Sequence, residues 1–547
     1  MALDQVDQAI ISQALIAAAK EMGIKLVRSA YSPIVREAND CSAALLDVGG
    51  NVVSQAELIP MQLGPIGTTF RPCAELYPPE TLEPGDFYIN NDPYHGGQHV
   101  PDIFIFTPIF FGARLVGFSA TVAHHLDLGG GAPGLNMAAG DVHQEGLIFP
   151  PSRYNVNRDW NGGPFERLVR ANVRVPEKTI GDCNAQFAAN AVGARRVIEL
   201  CEKFGADAVT EAMAGLLDYV EQRMRAGIAA APDGVYVGQD QLDSDGENDE
   251  PLVVRARVEI AGDTVTVDYE GTCDQVRTNV NCPFASTIAA GLSCIKSVLT
   301  SPDIPFNEGA KRPISVTAPY GSLLNPRPPA PVRARMLSAY RAYNAVMKAL
   351  ADAVPEQVMA AGFDTTHATC MSHLGEAGYG IYLEIFGGGY GASAVGDGCD
   401  AVDSPLSNCS NIPIEAIDME HEFFRVAEYA LVAGSGGKGE NCGGLGIRRV
   451  YEVLADDVEY QSYSDRFTIP PEGLFGGDDG GAAFACVLRG NEKIDLGSKT
   501  SFRLAKGDRL VMSTGGGAGY GDLARRSPER IAQDREDGAL DSGQAAR

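Results

Sequence analysis

Half of the chain's eight histidines, His95, His99, His124 and His125, fall in two short segments, NDPYHGGQHVPDI (91–103) and ATVAHHLDLGG (120–130). Asp92, Asp102 and Asp127 stand among them. Imidazole nitrogens and carboxylate oxygens together suit zinc, manganese or iron. His99 and Asp102 are separated by two residues, so both can reach one ion from a turn, and Pro101 fixes a backbone dihedral between them. His124 follows the strand-like run GFSATVA, and Asp40, in REANDCSA, precedes another. Asp40, His99, Asp102 and His124 would leave a divalent metal with an open position, the mark of a catalytic rather than a structural site. His95, His125 and Asp127 are the accompanying catalytic candidates. A metal-bound histidine usually passes its second N–H to a carboxylate, for which Asp92 or Asp127 could serve. His95 could act as a general acid or base. The competing explanation for each is an ordinary polar loop residue.

These residues need a rigid frame, and the flanking sequence supplies one. Residues 4–30 keep helical apolar spacing through Val6, Ile10, Ile11, Leu15, Met22 and Leu26 until Tyr31-Ser32-Pro33 stops them. CSAALLDVGGNVVSQAEL (41–58) reads as strand, turn, strand. Segments 86–92, 103–110 and 114–123 are apolar, β-branched and aromatic, and read as strands of one sheet. The candidate ligands then lie at strand ends, where a scaffold commonly presents functional groups. Two helical stripes run through 184–227, alternating strands through 252–270, and further helices through 286–300 and 337–353.

The expected class is α+β and multidomain: an N-terminal mixed sheet with helices carrying the metal site, and a β-rich, glycine-rich C-terminal half. The expected divisions are 1–230, 231–380, 381–525 and a flexible tail over 526–547. Four glycine-rich stretches, at 386–393, 433–446, 475–481 and 513–522, read as turns or as a flexible wall beside substrate or partner. None is a nucleotide loop. GSGGKGEN places Gly439 after Lys438 where a P-loop needs Ser or Thr, and STGGGAGYGD opens no helix. No cofactor-binding residue is assigned beyond the metal set. Arg327, Arg333 and Arg335 occupy the proline-rich run NPRPPAPVRARM, where they could bind a carboxylate or phosphate or form structural ion pairs.

Composition excludes several classes. A net charge of −27 with no basic run argues against nucleic acid and anionic membrane surfaces. The twelve cysteines include no C-x-x-C pair, and the N-terminus lacks a basic, apolar leader. Reduced thiols and a cytoplasmic location are expected.

The blocks 28–64, GDFYINNDPYHGGQHVPDI (85–103), VDYEGTCDQVRTNVNCP (267–283), GSGGKGENCGGLGIRRVYE (434–452) and STGGGAGYGD (513–522) resemble the hydantoinase B/oxoprolinase family. The likeness runs from about residue 5 to about residue 525. It implies a B-type subunit of an ATP-dependent hydantoinase, lactamase or 5-oxoprolinase, acting with a hydantoinase A-type ATPase subunit in a hetero-oligomer such as A2B2. ATP and magnesium would belong to that partner. The family's metal ligands match His99, Asp102 and His124, with Asp40 as the fourth. The alternative implied activity is that of a subunit of an ATP-dependent ketone carboxylase. Leu58 and the segment DSPLSNCSNIPIE (403–415) depart from the form common in relatives, so the substrate, cyclic amide or ketone, is left open.

Overall fold

The alternating run at 41–56 folds as its pattern requires, into an antiparallel hairpin of β1 (Cys41–Leu46) and β2 (Val52–Ala56). Its turn needs glycine: Gly50 has φ +79°, and a Cβ there would lie 2.2 Å from the Phe70 ring. In the computed structural model, which describes residues 3–537 and Ala539, this hairpin joins β3 (Asp86–Asn90), β4 (Asp102–Phe111), β5 (Arg114–His124) and β6 (Ser152–Asn155). The order is β2-β1-β5-β4-β3-β6. Every pairing in it is antiparallel. The mixed sheet expected from the sequence is therefore corrected: hairpin-length links, as between β4 and β5, can join only antiparallel neighbours.

Both faces of this sheet are covered, which is why IFIFTPIF is apolar throughout rather than alternating. Helices α1 (Gln5–Ser29) and α2 (Pro176–Phe204) lie on one face, with Met22, Ala43, Leu45 and Val53 in a shared core. From α2, Gln186 and Asn190 donate to the Ile103 and Ile105 carbonyls at 2.8 and 3.1 Å. On the opposite face Phe70 meets Tyr88, Phe106 and Phe118 edge-on, with ring centroids 5.7, 5.4 and 4.7 Å away. Helix α3 (Ala206–Ile228) packs beside α1 and α2.

The middle region is a second sheet of β7 (Gly234–Leu242), β8 (Leu252–Ala261), β9 (Thr264–Asp268) and β10 (Ile314–Thr317), in the order β10-β9-β8-β7. Only β9 and β10 pair in parallel, and the crossover between them contains helix α4 (Phe284–Leu299). Helix α5 (Arg335–Leu350) is buried along nearly its whole length between α4 and this sheet. It approaches β7 so closely that a Cβ on Gly238 would lie 2.1 Å from the Ala345 carbonyl oxygen.

The C-terminal part holds β11 (His367–Gly375), β12 (Gly378–Phe386), β13 (Phe424–Leu431), β14 (Ile447–Val453), β15 (Val458–Tyr463), β16 (Phe484–Arg489), β17 (Glu492–Leu496), β18 (Lys499–Leu504) and β19 (Arg509–Ser513). They form two sheets, β12-β11-β15-β18 and β13-β14-β19-β16-β17. The expected boundary at 380 falls inside β12. There β12 pairs with β11, which also bonds to β15.

The glycine stretches hold turns at 433–434 and 475–476, as their composition suggests, but much of their length is packed against other backbone. Gly437 donates to the Gly517 carbonyl, Gly517 to Gly444 and Gly444 to Tyr390, at 2.8, 2.9 and 2.9 Å. A Cβ on Gly389 would lie 1.9 Å from the Gly444 oxygen, and one on Gly443 1.9 Å from the Gly517 oxygen. These segments pack backbone against backbone, and glycine is needed because no side chain fits between them. The expected flexible tail is corrected in part. Ser527 caps a helix over Pro528–Glu536, and buried Arg526 bonds to Asp397 and Asp534 at 2.8 and 2.7 Å. The last residues, 540–547, lie outside the described part. Among the described residues, no helix is long and apolar enough to cross a membrane.

Candidate functional site

Three strand ends converge where the sequence placed its four metal candidates. Asp102 opens β4 and is the register partner of His124, which closes β5. Cys41 pairs with Ala123, so Asp40 stands one residue before β1 at the same end of the sheet, and the His124 backbone N–H donates to the Asp40 carbonyl at 3.0 Å. Asn39, at φ +60°, makes the bend that delivers Asp40, in a conformation asparagine tolerates better than most residues. His99 is turned back toward Asp102, with Nδ1 3.0 Å from Oδ2, and the His99 and His124 rings are 5.1 Å apart. All four side chains are buried.

Two further residues, not singled out as ligands, tie the group together. The Gln62 amide donates to Asp40 Oδ1 at 2.7 Å and to Asp102 Oδ1 at 3.4 Å. Arg335, the first residue of α5, donates through Nη2 to Asp102 Oδ2 at 2.9 Å. Burial pushes the Asp40 carboxyl well above its ordinary range, with Asp102 and Asp403 adding to the effect. Burial likewise holds His99 and His124 well below the usual imidazole range, reinforced by the charges of Arg333 and Arg335. Both imidazoles are thus neutral, the form that ligates metal. Nδ1 of each is buried without an aligned hydrogen-bond partner, the close approach of His99 to Asp102 included. Imidazole nitrogens and carboxylate oxygens are donor types that zinc, manganese and iron accept. Among the described residues, no three His, Cys, Asp or Glu side chains are placed so that they could hold a metal ion together. In the arrangement seen, Asp102 is shared between Arg335 and His99.

The other candidates are placed elsewhere. His125 points to α2, where Nε2 lies 3.1 Å from Gln186 Oε1 and 4.0 Å from Cys183 Sγ. Asp127 accepts from the backbone of Gly129, Gly134 and Arg174 and pairs with the Arg174 side chain at 3.0 Å. It organises a loop. His95 is largely exposed and pairs through Nδ1 with Asp92 at 2.8 Å. It lines a separate cavity of about 410 Å³ with Tyr94, Phe284 and Tyr320.

The two segments that depart from the family pattern meet in space. Leu58, Ser404, Pro405 and Asn408 line one cavity of about 510 Å³, with Lys296, Tyr343 and Tyr390. Asn408 clamps this wall by donating to the Leu58 carbonyl at 2.9 Å. The cavity adjoins the buried cluster through the 403–409 loop. Asp403 there accepts from the Cys409 N–H at 3.0 Å and lies 3.5 Å from the Tyr340 hydroxyl, and its charge is felt by Asp40. Gln62 and Tyr340 carried no sequence signal of their own, Asp403 was visible only as the first residue of the divergent 403–415 segment, and Arg335 only as one of three arginines in a proline-rich run.

Fold and site together define a multidomain α+β protein with a buried histidine–aspartate centre at the end of an antiparallel sheet. The chain belongs to the hydantoinase B/oxoprolinase family, whose model matches residues 4–523. It is 35% identical to the B subunit of a putative D-/L-hydantoinase from Pseudomonas sp. strain NS671, across 98% of this chain and 93% of that one. It is 29% identical to the beta subunit of the caprolactamase of Pseudomonas jessenii, across 98% and 94%. It also matches the 5-oxoprolinase of Dictyostelium discoideum at 27% identity, spanning 40% of that longer protein. The crystal structure of the P. jessenii ATP-dependent caprolactamase superposes with a TM-score of 0.90 at 27% identity, covering 98% of this chain and 95% of that one. An acetone carboxylase structure shares the fold, with a TM-score of 0.89 at 18% identity, covering 98% and 78%.

Proposed function

We propose that the chain is the metal-containing B-type component of an ATP-dependent cyclic amide hydrolase. It would act on a hydantoin, lactam or 5-oxoproline ring phosphorylated by an A-type ATPase subunit. The observation that carries this reading is the convergence of Asp40, His99, Asp102 and His124 at one strand end, in a chain of this family. Those four residues would hold one zinc, manganese or iron ion. Such an ion, when bound, polarises a substrate oxygen or lowers the pKa of water from 15.7 toward about 7.

The protein's own groups do the rest. Gln62 fixes the two carboxylates relative to each other, and Arg335 anchors Asp102. The 510 Å³ cavity at Leu58 and Ser404–Asn408 receives the ring, with Pro60, Phe306 and Pro405 as apolar walls and Lys296 and Asn408 as polar anchors. His95, accessible and held by Asp92, is the acid–base candidate of the three. His125 and Asp127 hold the segment that follows His124 against α2 and Arg174. ATP and magnesium are assigned to the partner, in a cytoplasmic hetero-oligomer such as A2B2.

The fold shared with acetone carboxylase favours one second reading, ATP-dependent carboxylation of a ketone. The test is turnover by the chain co-purified with an A-type subunit, with hydantoin, lactam and 5-oxoproline substrates and with ketones. Ring opening that needs ATP but not bicarbonate supports the hydrolase. Ketone consumption that stops without bicarbonate supports the carboxylase. Ring opening by the A-type subunit alone would contradict both.

A further inference from the structure

Lys296 lines the cavity of about 510 Å³ beside Leu58 and the 404–408 segment. Among the described residues, this half-buried ammonium forms no salt bridge and donates no hydrogen bond. The other half-buried lysines all pair: Lys178 with Glu420 at 2.5 Å, Lys311 with Glu308 at 3.0 Å, Lys348 with Glu472 at 2.7 Å and Lys499 with Asp465 at 2.9 Å. The carboxylates whose charge Lys296 feels are engaged by other groups. Glu57, itself exposed, accepts from the Phe306 backbone N–H at 3.0 Å, and Asp303 pairs with Arg223 at 3.0 Å. Burial lowers the Lys296 pKa, the sign of a charge that has lost water without gaining a bonded partner.

The cavity has two unlike walls. One is a stripe of α4 at helical spacing, Ser293, Lys296 and Ser297, continued by Thr300 just past the helix end. The opposite face of α4 sends Leu292, Ile295 and Val298 into the core. Two of the stripe's hydroxyls are committed: Thr300 donates to the Lys296 carbonyl at 2.7 Å, and Ser297 bonds to the Tyr343 hydroxyl at 2.9 Å. Among the described residues Ser293 makes no side-chain hydrogen bond, which leaves it and Lys296 as the donors on offer. The other wall is apolar, with Leu58, Pro60, Phe306 and Pro405. No arginine or glycine lines the space, so it lacks the forks and backbone nests that suit a phosphate. One ammonium with a hydroxyl beside it suits the two oxygens of a carboxylate. The volume also exceeds what a bare lactam or hydantoin ring fills, which leaves room for a charged substituent.

We propose that Lys296 sets the specificity of this cavity: the ring it receives carries a free carboxylate on its substituent, which Lys296 binds together with the Ser293 hydroxyl while the ring lies against Leu58, Pro60 and Phe306. This rests on the hydrolase reading above for the ring, but not for the carboxylate site.

The experiment is calorimetric titration of the purified full chain with two matched pairs of rings, 5-oxoproline against 5-oxoprolinamide and hydantoin-5-propionate against its amide, before and after chelator treatment. Within each pair only the charge differs. The parent should bind at least one acid more tightly than its amide, by at least roughly tenfold, the usual worth of a charge-assisted hydrogen bond. Lys296→Met should lose that preference by weakening the acid and leaving the amide unchanged, and Lys296→Arg should keep most of it. Lys296→Gln serves in place of the Met variant if that variant does not fold. A parent that binds acid and amide equally, or binds none of the four, overturns the proposal. So does a preference that survives in folded Lys296→Met, or equal weakening of acid and amide, which is what a purely structural lysine would give. A preference lost on chelation overturns it too, because it would put the carboxylate at the histidine–aspartate centre. Absence of ring opening alongside a Lys296-dependent preference counts against the hydrolase reading alone.

Discussion

Asp102 and His124 face each other across the β4–β5 ladder, the first residue of one strand against the last of the next. That register places an acid and an imidazole from distant segments side by side, and it makes the site depend on the ladder. Arg335 adds a third dependence, because its guanidinium is paired with Asp102 in the protein interior. Asp102→Ala should therefore cost about 3–5 kcal/mol, the usual result of leaving one partner of a buried pair alone. The double variant Asp102→Ala/Arg335→Met should recover part of that loss. Urea unfolding of the two variants and the parent measures it.

The glycine core makes a graded prediction. Gly396→Ala should be neutral, since the position is open and has no unusual φ. Gly490→Ala, also open but at φ +59°, should cost about 1 kcal/mol. Gly517→Ala should abolish soluble expression, because its Cβ would stand 2.0 Å from the Tyr390 oxygen. Soluble yield and thermal midpoints for the three variants give the order.

Those glycines also mark the limit of what could be read in advance. The β1–β2 hairpin, the strands of the first sheet and the meeting of Asp40, His99, Asp102 and His124 at one end of it were legible because periodicity and short spacing are local properties. Glycine is ambiguous locally: the same composition serves turns and backbone-to-backbone packing, and only the contacts of Gly389, Gly443 and Gly517 decide between them. The strands β11 and β12 escaped notice because HATCMSHLG mixes polar residues into a strand whose first six positions are all buried. Gln62 and Arg335 acquire their roles from segments far apart in the chain, which no spacing rule reaches. His125 and Asp127 stood beside His124 as accompanying catalytic candidates, but strand alternation sends His125 to the α2 face, and the following loop wraps Asp127.

Acid should weaken the fold through His367. Neither of its ring nitrogens has a partner, and burial lowers its pKa from 6.5 to about 4. The unfolded chain therefore binds the proton more readily, and stability is lost as pH falls from 6.5 through about 4. The full loss is roughly 3 kcal/mol below that range. His367→Phe should flatten this part of the pH–stability curve, as urea titrations at pH 7, 5 and 4 would show. An unchanged slope would mean that the imidazole finds a partner when charged.

The C-terminal helix is held by few contacts. Arg526 and Arg530 both reach Asp397, at 2.8 and 2.6 Å. Asp397→Asn/Arg526→Ala should release the Pro528–Glu536 helix and open the chain to trypsin at Arg525 and Arg530, leaving the remainder intact. Mass spectrometry of a timed digest shows whether cleavage begins there.

Elemental analysis of the purified chain bears most directly on the proposed centre. The parent should carry one equivalent of zinc, manganese or iron per chain. His99→Ala and His124→Ala should lose it while keeping their circular dichroism, and His95→Ala should retain it. Undiminished metal in a folded His99→Ala/His124→Ala double variant would contradict the assignment of Asp40, His99, Asp102 and His124 as the centre.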